Sequence, residues 1–184
     1  PIMIIDGRAI ASTMIRAFVL QRDSYFYFKS DGVVRNFPLR EMPKLFAVIV
    51  GEDVPSQKFL RQKAKVAAQL GVPFELQQFP SDVTTEFLCD VVSRAGKHPL
   101  IGGIIVQLPL PSHIDSRMVL DAIPVQKDVD CLTTRHLGVF FAERDPLIVP
   151  PVLIALRAIL DVHYSRDLAG RRVLILGSGL LVGR

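Results

Sequence analysis

Apolar positions along the chain follow two kinds of pattern that alternate. Four short runs have the length and hydrophobicity of strands in a covered sheet: residues 45–51, 74–79, 103–108 and 172–177. Apolar residues with a helical period occupy most of the chain between and around these runs: residues 8–22, 56–70, 84–95, 115–123 and 152–162. Because strands and helices alternate, the pattern predicts βαβ units, a mainly parallel sheet and an α/β fold.

Two segments interrupt this alternation. Residues 23–43 contain Ser30, Asp31 and Gly32, a turn signal between two short aromatic or β-branched runs, which predicts a hairpin-like excursion. Charge and proline break the pattern at residues 144–151, where we place a domain boundary. The prediction is therefore a three-layer α/β/α domain at residues 1–148, followed at residues 149–184 by the incomplete beginning of a Rossmann-type nucleotide-binding domain.

Composition and charge exclude several classes of function. Apolar residues make up 49% of the chain and charged residues 22%, which is typical of a globular protein. The net charge of +4 is spread thinly, and aromatic residues are only 8% with no Trp, so we expect no nucleic-acid partner. The longest uncharged apolar stretch, residues 146–156, is shorter than the roughly 20 residues of a membrane-spanning helix.

The N-terminal residues bear on the cellular location of the protein, and the two cysteines bear on metal binding. No basic segment precedes an apolar one at the N-terminus, which favours a cytoplasmic protein. Because the chain does not begin with Met, a mitochondrial leader stays open as an alternative. Cys89 and Cys131 lie far apart without metal-ligand spacing, so we expect no metal site.

A glycine-rich turn follows the last predicted strand. Gly177, Ser178, Gly179 and Gly183 would let backbone N–H groups meet a pyrophosphate at a helix N-terminus. The spacing is one residue longer than the usual dinucleotide fingerprint. An ordinary tight turn between strand and helix is the alternative.

The helix predicted at residues 56–70 carries a candidate lysine. Ser56, Phe59 and Lys63 share one face beside the apolar stripe. A partly desolvated lysine can take part in proton transfer. The alternative is a solvated helix lysine like Lys58 or Lys65.

Two further segments offer polar groups at strand ends or in loops. Gln107 lies at the carboxyl end of a predicted strand, where α/β sheets bind ligands, although it could be an ordinary strand-end residue. Asp128 and Asp130 are separated by one residue, and such pairs are commonly turn or cap residues. One of these carboxylates could also accept paired N–H bonds from a guanidine-like heterocycle edge.

Several segments occur in an order that makes the sequence specific. Together they resemble the bifunctional methylenetetrahydrofolate dehydrogenase/methenyltetrahydrofolate cyclohydrolase family over nearly the whole chain. The segments are residues 5–7, 50–51, Pro55 and Ser56 followed by Phe59 and Lys63, residues 106–111, residues 127–130 and residues 177–183. The segments at 106–111 and 127–130 carry more of the resemblance than the glycine-rich turn does.

The resemblance implies an activity in folate one-carbon metabolism. Such enzymes oxidise 5,10-methylenetetrahydrofolate with NADP and then hydrolyse the methenyl product to 10-formyltetrahydrofolate. They bind folate between an N-terminal α/β domain and a Rossmann domain, and they are commonly homodimers. NAD in place of NADP stays open, because the arginine usual in the cofactor turn is absent here.

The resemblance also assigns roles to individual residues. Lys63 matches the catalytic lysine, and Gln107 matches the glutamine that works beside it and contacts substrate. Asp130 matches the aspartate that holds the pterin edge, while Ser56 and Phe59 match substrate-binding positions. The glycine-rich turn, with Gly177, Ser178, Gly179 and Gly183, matches the cofactor site. We expect Lys63, Gln107 and Asp130 to converge on one cleft with Phe59 at its wall.

Four departures from the family pattern leave an alternative. Phe59 replaces the usual Tyr, Cys131 replaces Gly, residues 149–152 replace Pro-Cys-Thr-Pro, and residues 177–179 replace Gly-Arg-Ser. The family also continues well beyond residue 184, so we expect a fragment that exposes an apolar end and does not by itself oxidise methylenetetrahydrofolate. The alternative is a truncated, inactive paralog with a binding role. A related two-domain amino-acid dehydrogenase would share the fold but would not explain Gln107 and Asp130.

Overall fold

A computed structural model describes residues 7–22, 27–30, 33–36, 43–142, 149–164, 169–170 and 172–176. The first described element is helix α1 (Gly7–Arg22), which agrees with the helix predicted at residues 8–22. Strands β1 (Tyr27–Ser30) and β2 (Val33–Asn36) pair in an antiparallel arrangement. The predicted hairpin is therefore confirmed, and its turn residues 31–32 lie outside the described residues.

A parallel sheet forms the centre of the described fold. Its strands are β3 (Lys44–Val50), β4 (Phe74–Phe79) and β5 (Ile101–Val106), in the order β4-β3-β5. This arrangement confirms the α/β prediction with a parallel sheet. The third strand lies two residues earlier than predicted, since it begins at Ile101, which pairs with Lys44, and ends at Val106, which pairs with Val48.

Five more α-helices follow among the described residues, and local signals mark the ends of several of them. Asp53 accepts a hydrogen bond of 2.8 Å from the Ser56 N–H at the start of the second helix, and Gly71 ends it with a φ of +71°. Thr84 caps the third helix through the Phe87 N–H. The helices are α2 (Val54–Leu70), α3 (Thr85–Lys97), α4 (Ser116–Asp121), α5 (Thr134–Phe141) and α6 (Pro151–Tyr164).

The central strand β3 is buried on both faces of the sheet, where its successive side chains point in opposite directions. Ala47 and Ile49 pack with Leu60 of α2 on one face. Phe46, Val48 and Val50 pack on the other face with α3 and α4. This gives the predicted α/β/α layering. Each fully buried Val, Leu or Ile stabilises such a core by about 1.5–3 kcal/mol.

The prediction of a strand at residues 172–177 is wrong. Residues 172–176 carry no strand in the structure, and the side chains at 173–176 are between 58% and 88% exposed. A buried strand needs neighbouring strands for its backbone groups and a layer to cover its side chains. The described residues provide neither around this run. No described helix is both long and apolar enough to span a membrane.

Candidate active site

The first turn of α2 is tied to the segment that follows β5. Ser56 is buried, and its Oγ lies 3.5 Å from the Leu108 carbonyl oxygen that accepts from it. Asp53 fixes the same turn by accepting from the Ser56 N–H, and hydrogen bonding by the side chain and the backbone of Ser56 holds the pKa of the Asp53 carboxyl below its usual value. The contact sets the position of α2 relative to the carboxyl end of the sheet. Ser56 itself does not line the cleft described below.

Lys63 forms a half-buried ion pair with Asp130. Its Nζ lies 3.0 Å from Oδ2 and 3.4 Å from Oδ1 of that carboxylate. The two side chains are 22% and 28% exposed. The ammonium also lies 5.0 Å from the centre of the Phe59 ring, a cation–π distance. Lys63 thus differs from Lys65, which is exposed on the same helix.

Gln107 continues the line of β5 into the same region. Its backbone N–H donates to the Val48 carbonyl at 2.9 Å, which extends the parallel ladder by one residue. Its Nε2 donates to the Leu108 carbonyl at 2.8 Å. Gln107 therefore lies at the carboxyl edge of the sheet, as its sequence position predicted.

These side chains meet in one cleft of about 470 Å³. It is lined by Phe59, Lys63, Val106, Gln107, Leu108, Asp130, Leu132, Pro151 and Val152. The predicted convergence of Lys63, Gln107 and Asp130, with Phe59 at the wall, is confirmed. Pro151 and Val152 belong to one of the segments that depart from the family pattern, so this departure reaches the cleft.

The two aspartates at residues 128 and 130 have different surroundings. Asp128 is fully buried, and its carboxylate accepts hydrogen bonds from the Leu132 N–H, the Thr133 N–H and the His136 Nδ1. Burial by itself raises the pKa of Asp128, but these hydrogen bonds outweigh burial and hold the pKa below its usual value. Asp128 thus anchors the loop, while Asp130 faces the cleft.

Cys131 occupies a backbone conformation that favours glycine. Its φ is +56°, in the left-handed region, and its side chain is buried. Burial, with smaller contributions from the charges of Asp128 and Asp130, raises the pKa of this thiol to about 11. A thiol held protonated is a poor nucleophile, so Cys131 adds no reactive group to the cleft. The glycine expected here by resemblance fits the observed φ.

Sequence reasoning missed helix α5 and His136. The helix has only eight residues, about two turns, and this length is too short to separate a helical period from a short apolar run. The available signal was Thr133, whose hydroxyl accepts from the His136 N–H as an N-cap. His136 gave no sign of its contact with Asp128.

The proposed cofactor residues Gly177, Ser178, Gly179 and Gly183 lie outside the described residues. Within the part of the chain that is described, no group of three or more His, Cys, Asp or Glu side chains could hold a metal ion.

Comparison with curated proteins identifies relatives along the whole chain. The bifunctional protein FolD of Heliobacterium modesticaldum is 36% identical over 180 residues, covering 98% of this chain and 58% of that protein. FolD of Moorella thermoacetica is 32% identical over 184 residues, covering 100% of this chain and 61% of that protein. The chain thus spans between about half and three fifths of the length of such relatives.

Solved structures agree with this similarity. The silkworm (Bombyx mori) 5,10-methylenetetrahydrofolate dehydrogenase matches with a TM-score of 0.82 and 27% identity, over 100% of this chain and 59% of that one. The Trypanosoma brucei dehydrogenase-cyclohydrolase, complexed with NADP cofactor and inhibitor, matches with a TM-score of 0.80 and 33% identity over 98% of this chain and 58% of that one. The family model of the tetrahydrofolate dehydrogenase/cyclohydrolase catalytic domain matches residues 5–130. Since this match covers more than half of the sequence, the chain belongs to the tetrahydrofolate dehydrogenase/cyclohydrolase family.

Proposed function

We propose that this chain supplies the folate-binding side of an enzyme that oxidises 5,10-methylenetetrahydrofolate with NADP and hydrolyses the methenyl product to 10-formyltetrahydrofolate. One observation carries the proposal: Lys63, Gln107 and Asp130 line a single cleft at the carboxyl edge of the parallel sheet. Binding at this edge is the rule for open α/β sheets. The inactive alternative gains no support from a cleft in which these three side chains meet.

Asp130 binds the pterin ring in this proposal. The ring presents a guanidine-like edge, and a carboxylate can accept two parallel N–H bonds from such an edge. The same carboxylate accepts from Lys63 in the structure, so its oxygens already face the cleft. Phe59, which is more than half exposed, offers its ring face to the pterin without a hydroxyl group.

Lys63 and Gln107 serve the hydrolytic step. Water adds to the cationic methenyl carbon, the bond from this carbon to N5 breaks, and the formyl group remains on N10. One proton of the water goes to N5, and the other is released. Lys63 promotes this step from α2, while Gln107 offers both a hydrogen-bond donor and an acceptor beside it. Ser56 supports the substrate side by fixing the first turn of α2 against Leu108.

The dehydrogenase step requires a nicotinamide nucleotide, which supplies the hydride acceptor when bound. We assign its pyrophosphate to the turn with Gly177, Ser178, Gly179 and Gly183, at the start of a second domain that includes residues 149–184. The NADP bound to the Trypanosoma brucei relative supports NADP here. We further propose a homodimer, on the basis of the family resemblance alone, and a cytoplasmic location, on the basis of the N-terminal sequence pattern.

The proposal is tested by hydrolysis of 5,10-methenyltetrahydrofolate, followed by the loss of its near-ultraviolet absorbance. Lys63→Met should slow the reaction by about 100-fold or more, the range for a lost proton-transfer group. Lys65→Met is the matched control, because Lys65 is exposed on the same helix, and its rate should match wild type. Full activity in Lys63→Met, or a wild-type chain that neither hydrolyses this substrate nor binds tetrahydrofolate, would overturn the proposal.

A further inference from the structure

A buried hydrogen-bonded cluster lies directly beneath the loop that carries Asp130. It consists of Asp128, Thr133 and His136, all less than 4% exposed. The Asp128 carboxylate accepts from the Thr133 N–H at 2.9 Å and from the His136 Nδ1 at 2.8 Å. The Thr133 hydroxyl accepts in turn from the His136 N–H at 3.2 Å. We call this set the Asp128 cluster.

The Asp128 cluster joins the two ends of the loop at residues 128–133. Asp128 is the first residue of the loop, and its Oδ1 also accepts from the Leu132 N–H at 3.1 Å. His136 belongs to the first turn of α5, immediately after the loop. The two ends of the loop are thus held together by hydrogen bonds to one buried carboxylate. These bonds leave the loop backbone little freedom.

The start of the loop is also fixed to the sheet. Ile104 of β5 and Asp128 form a parallel bridge. Val129 lies so close to β5 that a Cβ at Gly103 would be 2.6 Å from its Cγ1. With Asp128 held by the cluster and Val129 held against the sheet, the next side chain, Asp130, reaches the Lys63 ammonium at 3.0 Å.

The histidine acts in this cluster as a hydrogen-bond donor. Its Nε2 is buried and has no hydrogen-bond partner among the described residues, whereas its Nδ1 faces the Asp128 carboxylate. The tautomer with hydrogen on Nδ1 fits both observations. A buried carboxylate that lost this donor would keep only its hydrogen bonds with Leu132 and Thr133, and the protein would lose stability.

We infer that His136, acting through Asp128, is a positioning residue that holds Asp130 in the orientation needed to bind the pterin edge. The inference rests on the proposed function for the identity of the ligand. His136 does not line the cleft, so it touches no substrate and is not a catalytic residue. Its effect on binding passes through the placement of Asp130.

The experiment compares three variants at α5 by calorimetric titration of the chain with tetrahydrofolate. His136→Leu removes the donor and should weaken binding by about tenfold or more, as for other supporting hydrogen bonds. His136→Asn places an amide donor at the same distance along the side chain and should restore binding to within about threefold of wild type. Leu137→Ala, a neighbouring residue outside the cluster and the cleft, should disturb α5 without changing the affinity.

A double-mutant cycle separates positioning from general destabilisation. Asp130→Asn removes the group that His136 positions, so adding His136→Leu to it should weaken binding less than about twofold further. Additive losses, or wild-type affinity in a folded His136→Leu, would overturn the inference. Equal losses in Leu137→Ala would also overturn it, because they would show a response to helix stability alone.

Amide hydrogen exchange without ligand distinguishes failure of this inference from failure of the proposed function. His136→Leu should speed exchange at the Leu132 and Thr133 N–H groups, and His136→Asn should restore their protection. A wild-type chain that bound no tetrahydrofolate would refute the proposed function. Unchanged protection of these N–H groups in His136→Leu would refute the inference that the Asp128 cluster holds the loop.

Discussion

Residues 46–50 and residues 173–176 are short apolar runs of similar composition, with opposite surroundings. The first run is at most 5% exposed at every position. The second is at least 58% exposed at every position. The comparison shows that an apolar run becomes a core strand only where the fold supplies partners for both its backbone and its side chains.

The first run has those partners on all sides. β3 pairs with β4 on one edge and with β5 on the other, and α2 and α3 cover its two faces. Among the described residues, none forms a ladder with residues 173–176. Each of the two local sequences predicts a strand. The neighbouring elements therefore decide which run forms one.

The largest expected effect is a matched pair of substitutions, one in each run. Ile49→Ala should lower the free energy of unfolding by about 2–5 kcal/mol, because Ile49 is 2% exposed. Ile175→Ala should change it by less than about 0.5 kcal/mol, because Ile175 is 58% exposed. Urea denaturation measures both, and Ile49→Val, at about 0.5–1.5 kcal/mol, replaces Ile49→Ala if that variant does not fold. Equal losses at the two sites would contradict the comparison.

The second prediction concerns the contribution of the buried Asp128 carboxylate to the stability of the core around β3. Asp128→Asn should cost about 1–3 kcal/mol near pH 7, since it weakens the three hydrogen bonds to that side chain. The folded-state pKa of Asp128 lies below the usual value of an aspartate, about 3.9, so its contribution is present above about pH 4 and lost as the pH falls through the folded pKa. Urea denaturation across this range should show the gap between wild type and variant narrowing in acid, whereas a constant gap would assign the loss to packing.

Alkaline pH gives a third effect, of similar size, at Cys131. The folded thiol has a pKa raised from 9.0 to about 11, so the unfolded chain ionises first as the pH rises. Wild type should therefore lose up to about 1.4 kcal/mol per pH unit between these values. Cys131→Ala, which cannot ionise, is the control in the same denaturation series. Parallel curves for the two proteins would contradict the raised pKa.

The smallest expected change in stability is at an ion pair on the surface of the parallel sheet. The Lys44 Nζ lies 2.7 Å from the Glu75 Oε2, and this contact holds the pKa of Glu75 below its usual value. Both side chains are about one third exposed, so Glu75→Gln should cost only about 0.2–1 kcal/mol and less in high salt. A larger, salt-independent loss would show that the stability of this region depends on more than apolar burial.

Helices and strands with clear periodicity could be predicted from the sequence. The stripe that includes Leu60 predicted α2, and the apolar run before Gly51 predicted β3. The short helix α5 was not predicted, because its eight residues make only about two turns and its N-cap is a loop threonine. In the site, the order of the sequence segments predicted Lys63, Gln107 and Asp130. It did not predict His136, because the contact of His136 with Asp128 depends on the path of the loop between them.

The sequence by itself determined the type of each periodic element, the parallel α/β plan and the order of the polar segments. Those features depend on spacing within one segment, where the geometry of a helix or strand fixes which side chains share a face. Only the tertiary structure decided that Asp128 is buried while Asp130 pairs with Lys63, and that residues 172–176 form no strand. These outcomes depend on contacts between distant segments, because burial and hydrogen bonding need a partner that no local pattern contains.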